Sequence, residues 1–296
     1  MILKNVLFYF AGIVFLVLAK TKNILQGYSS PKPFNISEIE RCIEYDINVV
    51  DKWLLYLKEY TRCSNFITNK NILELGPGSD LGAGLYLLSK GGSKYNTCDV
   101  NDLMRFTSDS FYEQLFNKLK SIVSNADVVS LEEEFNKFKC GSSSRLNYLV
   151  RKDLDIVSAF GGGSVDLVFS QAVFEHFDNI DATIEQMSVV CKPGAILVTE
   201  IDLHTHSRYI RDKDPNNIYR YHRAVYNAFW FRGMPNRVRP FQYKEMLQRH
   251  GWENIVITPL LTLNDTYKKC SGLSKDFIDE KNQMNYLSIM ICARKK

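Results

Sequence analysis

The sequence predicts an α/β fold in which a mostly parallel sheet carries helices on both faces. Short apolar runs alternate with helical segments from residue 71 to residue 201, and this alternation is typical of parallel sheets. The first run, residues 71–75, leads into a glycine turn at 76–78, and the acidic residue Asp99 follows about 20 positions later. A glycine turn lets a ligand approach the backbone, and the carboxylate can hold a ribose. The sequence therefore predicts a site for a nucleoside-containing cofactor.

The amino terminus carries a continuous apolar run at residues 6–19, with Lys4 before it and Lys20 and Lys22 after it. Its length approaches the roughly 18–20 residues that cross a bilayer as a helix. A cleaved signal peptide fits the length of the apolar run, but the sequence Leu-Ala-Lys-Thr-Lys at its end is a poor cleavage site. A soluble core helix is possible but would have to be apolar all round. We therefore predict a membrane-anchor or interfacial helix within residues 1–22.

Residues 23–64 are predicted to form a polar linker and a helix over about residues 37–62. The apolar positions Ile43, Ile47 and Val50 keep the spacing of one helical face. This helix leads into the predicted α/β core.

The α/β domain is expected to cover residues 65–296, with two longer segments inside it. Residues 101–140 are interpreted as a helical insertion, and residues 203–240, rich in His, Arg, Tyr and Asn, as a second insertion. The last two strands, at 255–259 and 286–293, predict an antiparallel pair at the sheet edge. The other predicted elements are strands at 71–75, 95–99, 146–150, 165–170 and 195–201, and helices at 80–90, 178–191 and 242–250.

The details of the glycine turn distinguish between nucleoside cofactors. A dinucleotide site favours Gly-x-Gly-x-x-Gly, but here the third glycine, Gly82, is one place late. Asp80 at the predicted helix start would also repel a pyrophosphate. A cationic sulfonium cofactor meets no such objection, because Glu74 and Asp80 would attract it at long range.

The same turn resembles the first motif of the class I S-adenosylmethionine-dependent methyltransferases. The residues that carry the resemblance are Glu74, Gly76, Pro77 and Gly78, and Asp99 matches the acidic residue that binds both ribose hydroxyls in that family. The resemblance implies that these five residues contact S-adenosyl-L-methionine.

Three further segments match the family in order. Asp153 and Leu154 resemble the segment whose acidic side chain and following backbone N–H hold the adenine. Residues 165–176 are similar to the motif FDLVxSxxVxEH of the fourth strand, and residues 191–197 to the turn LKPGGxL before the fifth. By its place after the fourth strand, Gln171 is expected to face the methionine part of the cofactor.

These matches span about residues 65–201, and the chain looks like a methyltransferase of type 11. The resemblance implies a Rossmann-like seven-stranded sheet whose last strand is antiparallel. A weaker resemblance, carried by residues 76–82, 201–204 and 234–239, links the chain to methyltransferase-like proteins of bacterial surface-polysaccharide pathways.

Three histidines are candidates for catalysis at the carboxyl edge of the sheet. His176 follows the fourth predicted strand, and His204 and His206 follow the fifth, beside Asp202. Histidine is the natural base near neutral pH, and a His-x-His pair on an extended segment shares one face. A metal pair would lack an evident third ligand, so we predict no metal. Residues 203–240 are expected to form the acceptor side of the site.

Composition excludes some partners. The net charge is only +4, and the basic residues are scattered, which argues against nucleic acid. The seven cysteines are odd in number and form no Cys-x-x-Cys, which favours reduced thiols in the cytosol and gives no support to zinc.

The leading hypothesis is S-adenosylmethionine-dependent methyl transfer, to an oxygen of a small or glycan-like acceptor. The protein would be membrane-associated through residues 2–19, with its catalytic domain facing the cytoplasm, where the cofactor is found. Two alternatives stay open: a non-catalytic, membrane-held binding protein of the same fold, and a dinucleotide-dependent oxidoreductase. The sequence leaves the acceptor and the oligomeric state open.

Overall fold

The structure is a computed structural model that describes residues 2–28, 32, 34–263 and 271–296, within which the chain forms one seven-stranded sheet. In chain order the strands are β1 Asn71–Leu75, β2 Lys94–Asp99, β3 Leu146–Val150, β4 Val165–Gln171, β5 Cys191–Asp202, β6 Trp252–Thr262 and β7 Tyr286–Lys295.

The strand order is β3-β2-β1-β4-β5-β7-β6. Strands β1 to β5 pair in parallel, and β7 runs antiparallel to both of its neighbours. The predicted Rossmann-like sheet with an antiparallel last strand is therefore confirmed. Because β2 and β4 lie on opposite sides of β1, the strand order reverses at β1, and such a reversal opens a ligand crevice at the carboxyl ends of the strands.

Helices cover both faces of this sheet. They are α1 Ile2–Gln26, α2 Ile39–Thr61, α3 Gly82–Ser89, α4 Asp109–Lys120, α5 Asn125–Lys139, α6 Ile156–Phe160, α7 Ile180–Val190, α8 Arg208–Arg211, α9 Arg223–Ala228 and α10 Pro240–Arg249.

Two apolar cores form because alternate residues of a strand point to opposite faces. On one face, Trp53 of α2 is fully buried and stacks on Phe169 of β4, with ring centroids 5.0 Å apart. On the other face, Ile184 and Met187 of α7 belong to the same buried cluster as Val168. The sheet is thus held rigidly between two helical layers.

The helices predicted for residues 101–140 are present as α4 and α5. Phe111, Leu115 and Leu119 of α4 are buried in the first core with residues of α2 and α3. This segment therefore thickens one helical layer and leaves the carboxyl edge of the sheet open.

The amino-terminal helix α1 packs against the second insertion. Leu16 is buried in a third apolar cluster with Tyr219 and Tyr221. The amide of Asn217 donates to the carbonyl of Phe8 at 2.8 Å, and the Tyr221 hydroxyl donates to the carbonyl of Tyr9 at 3.0 Å. Within the described residues, 3–26 form one helix that is long and apolar enough to cross a membrane.

Gly12 allows this close contact, because a Cβ there would overlap the Asn217 side chain and the Tyr221 hydroxyl. We expect Gly12→Leu to lower the free energy of unfolding by about 1–3 kcal/mol, the usual effect of overpacking. The helix should also become more sensitive to protease. Chemical denaturation and limited proteolysis measure the two effects.

Val14→Leu is the control for this prediction, because Val14 lies on the exposed side of the same helix. Equal stability and equal protease resistance of both variants would contradict the tight docking of α1.

Candidate functional site

One cavity of about 1880 Å³ lies at the carboxyl ends of β1, β2, β4 and β5. Its position is the crevice that the reversal of strand order predicts. The cavity is lined by every residue named as a site candidate from the sequence: Glu74, Gly76, Pro77, Gly78, Asp99, Asp153, Leu154, Gln171, His176, His204 and His206.

The glycine turn after β1 has a backbone that other residues rarely adopt. Gly76 has φ of +71° and Gly78 has φ of +77°. A Cβ on Gly76 would lie 2.6 Å from a methyl carbon of Val173, so only glycine fits between the turn and the segment after β4. The Gly76 N–H donates to the carbonyl of Cys98 at 3.1 Å, which ties the turn to β2. The turn is therefore fixed between β2 and the segment after β4, and its residues line the cavity.

Asp99 is the last residue of β2 and is buried at 9% exposure. Its Oδ1 accepts a hydrogen bond from the Asn101 N–H at 2.8 Å. Burial raises the pKa of Asp99 to about 6. The carboxyl group faces the cavity beside the glycine turn, which suits hydrogen bonds from the two hydroxyls of a ribose.

Glu74 lies inside β1 and also lines the cavity. Its Oε2 accepts a hydrogen bond from the Tyr95 hydroxyl at 2.7 Å, and burial raises the pKa of Glu74 to about 7. At neutral pH its charge is therefore only partly developed, and a nearby cation would complete the ionisation.

Asp80 carries a partner that the sequence did not reveal. The Lys32 ammonium lies 3.0 Å from Asp80 Oδ2 and 2.6 Å from Asp46 Oδ1, and all three side chains are buried. Asp80 Oδ1 also accepts from the Gly82 N–H at the start of α3. Its expected attraction for a sulfonium is therefore largely compensated by Lys32, which comes from the distant segment before α2.

Asp153 and Leu154 lie at the rim of the cavity, past the end of β3. The Arg151 guanidinium donates two hydrogen bonds to Asp153, at 3.0 and 2.9 Å, and holds the pKa of that exposed carboxyl at about 2. The Leu154 N–H, which the resemblance assigns to the adenine, donates to the Arg151 carbonyl at 3.1 Å within this turn.

Gln171 ends β4 and has a buried Oε1 to which the described residues donate no hydrogen bond. An unpaired buried amide oxygen costs about 1–3 kcal/mol. A ligand with an N–H donor, such as the amino group of a methionine moiety, would satisfy this oxygen. The site thus fits the expected cofactor at Gln171 as well as at Asp99.

His204 is held in a tight polar cluster. Its Nδ1 bonds to Asp202, and its Nε2 accepts from Arg211 Nε. Arg211 Nη2 also donates to Asp202 Oδ2 at 2.9 Å. Both ring nitrogens are engaged, so His204 orients its neighbours more readily than it takes a proton from a ligand.

His176 and His206 point their rings towards each other, with centroids 4.8 Å apart. The Nδ1 of His176 bonds to the carbonyl of Gly233 at 2.6 Å, and the Nδ1 of His206 to the carbonyl of His204 at 2.9 Å. Burial lowers the pKa of both, and that of His206 falls to about 4, helped by the proximity of His176. Both imidazoles are therefore neutral at neutral pH.

Glu175 is the residue beside these histidines to which the sequence motif gave no role. It is 2% exposed, and its Oε1 accepts from the Asp202 N–H at 3.2 Å. Burial, followed by the negative charge of Asp202, raises the pKa of Glu175 well above its usual value. Its place directly before His176 in the matched motif was the available signal.

The outer wall of the cavity comes from α1, which sequence reasoning treated as a separate anchor. Phe15, Ala19 and Lys22 line the cavity, and the ring of Phe15 stacks on Tyr209 at 5.7 Å. The Lys20 ammonium donates to the carbonyl of Ala228 at 3.0 Å. The helix therefore forms part of the wall of the cavity, next to residues 203–240.

Comparison with known proteins gives a match at residues 142–199 to the family described as "Methyltransferase domain". No curated protein matches the chain. The comparisons give no support to the weaker resemblance to surface-polysaccharide proteins.

Several solved structures are similar to this chain. An S-adenosylmethionine-dependent methyltransferase from Archaeoglobus fulgidus is 16% identical, with a TM-score of 0.46 over 83% of this chain and 94% of the other. Phosphoethanolamine N-methyltransferase 2 of Haemonchus contortus, in complex with S-adenosyl-L-methionine, is 16% identical, with a TM-score of 0.46 over 83% of this chain and 52% of the other.

The CurJ carbon methyltransferase is 16% identical, with a TM-score of 0.41 over 77% of this chain, and this chain spans about half, 49%, of that one. The strand order and the match at residues 142–199 agree with the predicted resemblance: the chain has the fold of the class I S-adenosylmethionine-dependent methyltransferases.

Proposed function

We propose that this protein transfers the methyl group of S-adenosyl-L-methionine to an oxygen of a small or glycan-like acceptor at the cytoplasmic face of a membrane. One observation carries the proposal: the glycine turn with Asp99 and the neutral pair His176 and His206 open into the same cavity. The cofactor side and the acceptor side thus meet at one edge of the sheet.

On the cofactor side, Asp99 would hold the ribose hydroxyls and the turn at Gly76 and Gly78 would lie against the cofactor. Gln171 would accept from the amino group of the methionine part, and Asp153 with Leu154 would border the adenine. Across the sheet, the adenine would lie at the end of β3, the ribose at β2, the glycine turn at β1 and the methionine part at β4. The sulfonium would then face the segments that follow β4 and β5.

On the acceptor side, the reaction needs an oxygen in line with the sulfonium methyl. A bond forms between that oxygen and the methyl carbon as the bond from carbon to sulfur breaks, and the sulfur keeps the electron pair. The hydroxyl proton must leave to a nearby acceptor. His176 and His206 are neutral and line the same cavity as the glycine turn at 76–78. A neutral imidazole can take the proton of a hydroxyl, which supports an oxygen acceptor held near their Nε2 atoms.

The membrane part of the proposal is supported by the two unlike sides of α1. One side docks on the protein, whereas Leu7, Phe10 and Val14 on the other side are 65%, 63% and 56% exposed. Such a helix suits the plane of a bilayer surface, with its apolar stripe among the lipids. The cofactor is cytosolic, so the domain would face the cytoplasm.

Asp99→Ala should weaken binding of S-adenosylhomocysteine by roughly 1–3 kcal/mol, because hydrogen bonds from the ribose to a carboxylate are lost. Isothermal calorimetry measures this change. The exposed Asp102 is the matched control, and Asp102→Ala should bind as the wild type does. An unchanged affinity of the Asp99 variant would place the ribose elsewhere.

His206→Ala should lower kcat about 10²- to 10⁴-fold and leave the affinity for S-adenosylhomocysteine unchanged, because the ring serves the acceptor side. The assay follows labelled methyl from the cofactor into extracted glycans, lipids and small metabolites. The exposed His222 provides the control variant His222→Gln. Cofactor binding by the wild type without transfer to any fraction would favour the non-catalytic alternative.

Leu7→Glu combined with Phe10→Glu should move the full-length protein from the membrane fraction to the soluble fraction, because charges cannot enter the apolar layer. Point variants are preferred to deletion, since α1 also walls the cavity. Leu55→Glu, at an exposed leucine of α2, is the control. Full-length wild-type protein found wholly in the soluble fraction would contradict this part of the proposal.

A further inference from the structure

We propose that Glu175, His176 and His206 bind a divalent transition-metal ion, with its open positions turned to the acceptor side of the cavity. The role of the ion towards an acceptor rests on the proposed function. Its binding does not, because the three ligands are present without cofactor or acceptor.

The geometry brings three donor atoms together, one from each residue, all within 4.8 Å of one another. The Nε2 of His206 lies 4.0 Å from Oε1 of Glu175. Ligands at about 2.0–2.2 Å from one metal ion lie roughly 3–3.5 Å apart. Small side-chain rotations are therefore enough to close the cluster around an ion.

The hydrogen bonds of the two rings fix which nitrogen is free. A backbone carbonyl can only accept, so the Nδ1 atoms that contact Gly233 and His204 must carry the protons. The Nε2 atoms of His176 and His206 then keep their lone pairs. This arrangement, with the second ring nitrogen bonded to a carbonyl, is the usual support of a metal-binding histidine.

Glu175 supplies an independent observation. Its side chain is 2% exposed, and no described residue donates a hydrogen bond to Oε2. A buried carboxyl group with an open oxygen is unfavourable unless a cation or a proton satisfies it. A metal ion between the two Nε2 atoms and this carboxylate would satisfy all three groups.

The ligand set indicates the kind of ion. Two imidazoles and one carboxylate suit first-row transition metals such as Zn²⁺, Fe²⁺ or Co²⁺ more than Mg²⁺ or Ca²⁺, which prefer oxygen alone. Three protein ligands leave positions open, which is typical of catalytic sites. With the ion bound, the Nε2 lone pairs of both rings are used as ligands, so the rings would not take the proton of an acceptor hydroxyl. The ion would instead act as a Lewis acid that lowers the pKa of that hydroxyl, and the proton would pass to solvent.

The prediction from sequence was that no metal binds, because His204 and His206 lacked a third ligand. In the structure His204 is engaged with Asp202 and Arg211. The partners of His206 come instead from the segment after β4, where Glu175 and His176 lie. That juxtaposition depends on the pairing of β4 with β5.

The test is a titration of the full-length protein with Co²⁺ alone, followed by its visible absorption, and then displacement by Zn²⁺. Wild type should bind one ion per chain. Mutation of a residue that only hydrogen-bonds to a metal ligand lowers metal affinity about 10- to 100-fold. Removal of a ligand itself should lower it at least as far, so Glu175→Gln, His176→Gln and His206→Gln should each weaken Co²⁺ binding by about that factor or more. His222→Gln should bind as the wild type does.

Absence of Co²⁺ and Zn²⁺ binding to the wild type would overturn the proposal, as would undiminished binding by all three variants. If the variants do not fold, the wild type decides: Zn²⁺ should protect His176 and His206, but not His222, from diethylpyrocarbonate, as read by mass spectrometry. Equal modification with and without Zn²⁺ would also overturn it. Methyl transfer by metal-free protein would refute only the role of the ion, whereas metal binding without any transfer would refute only the proposed function.

Discussion

The reversal of strand order at β1 is the constraint on which the rest of the site depends. Because β2 and β4 pair with opposite sides of β1, the loops that follow these strands separate and leave a crevice between them. Val173, after β4, can pack against the turn at this crevice only because Gly76 has no Cβ. The same pairing brings Asp99 and Gln171 to one cavity.

Residues 203–240 connect α1 to the residues that line the cavity. The Gly233 carbonyl of this segment orients His176, and its Asn217 and Tyr221 hold α1. The same packed segment therefore contacts both α1 and the ring of His176.

Most of the sheet could be predicted from the sequence, because buried parallel strands appear as apolar runs between turns. The run at 146–150 coincides with β3, whereas β5 extends from Cys191 to Asp202, beyond the predicted 195–201. Strand pairing with β4 and β7 extends β5 into residues that show no apolar pattern. Element ends depend on such partners, which one sequence does not contain.

In the site, too, the parts that form local sequence patterns could be predicted and the long-range contacts could not. The turn at 76–78 and Asp99 form a local pattern, so their place at the cavity followed from the chain itself. Lys32 beside Asp80 and Glu175 beside His206 are contacts between residues far apart in the sequence. The motif at 165–176 contains Glu175, but it does not predict that His206 lies next to it. The docking of α1 was missed because an apolar helix gives the same pattern whether it meets lipid or protein.

The buried charges of the cavity suggest why it would need cations. Burial raises the pKa of Glu74, Asp99 and Glu175, and within the described residues none of the three forms an ion pair with lysine or arginine. The ammonium group of Lys32 forms ion pairs with Asp46 and Asp80 instead. A raised carboxyl pKa means that the ionised form lacks compensation. A positively charged group near Glu74 or Glu175 would supply this compensation, so the electrostatics of the cavity favour cationic ligands.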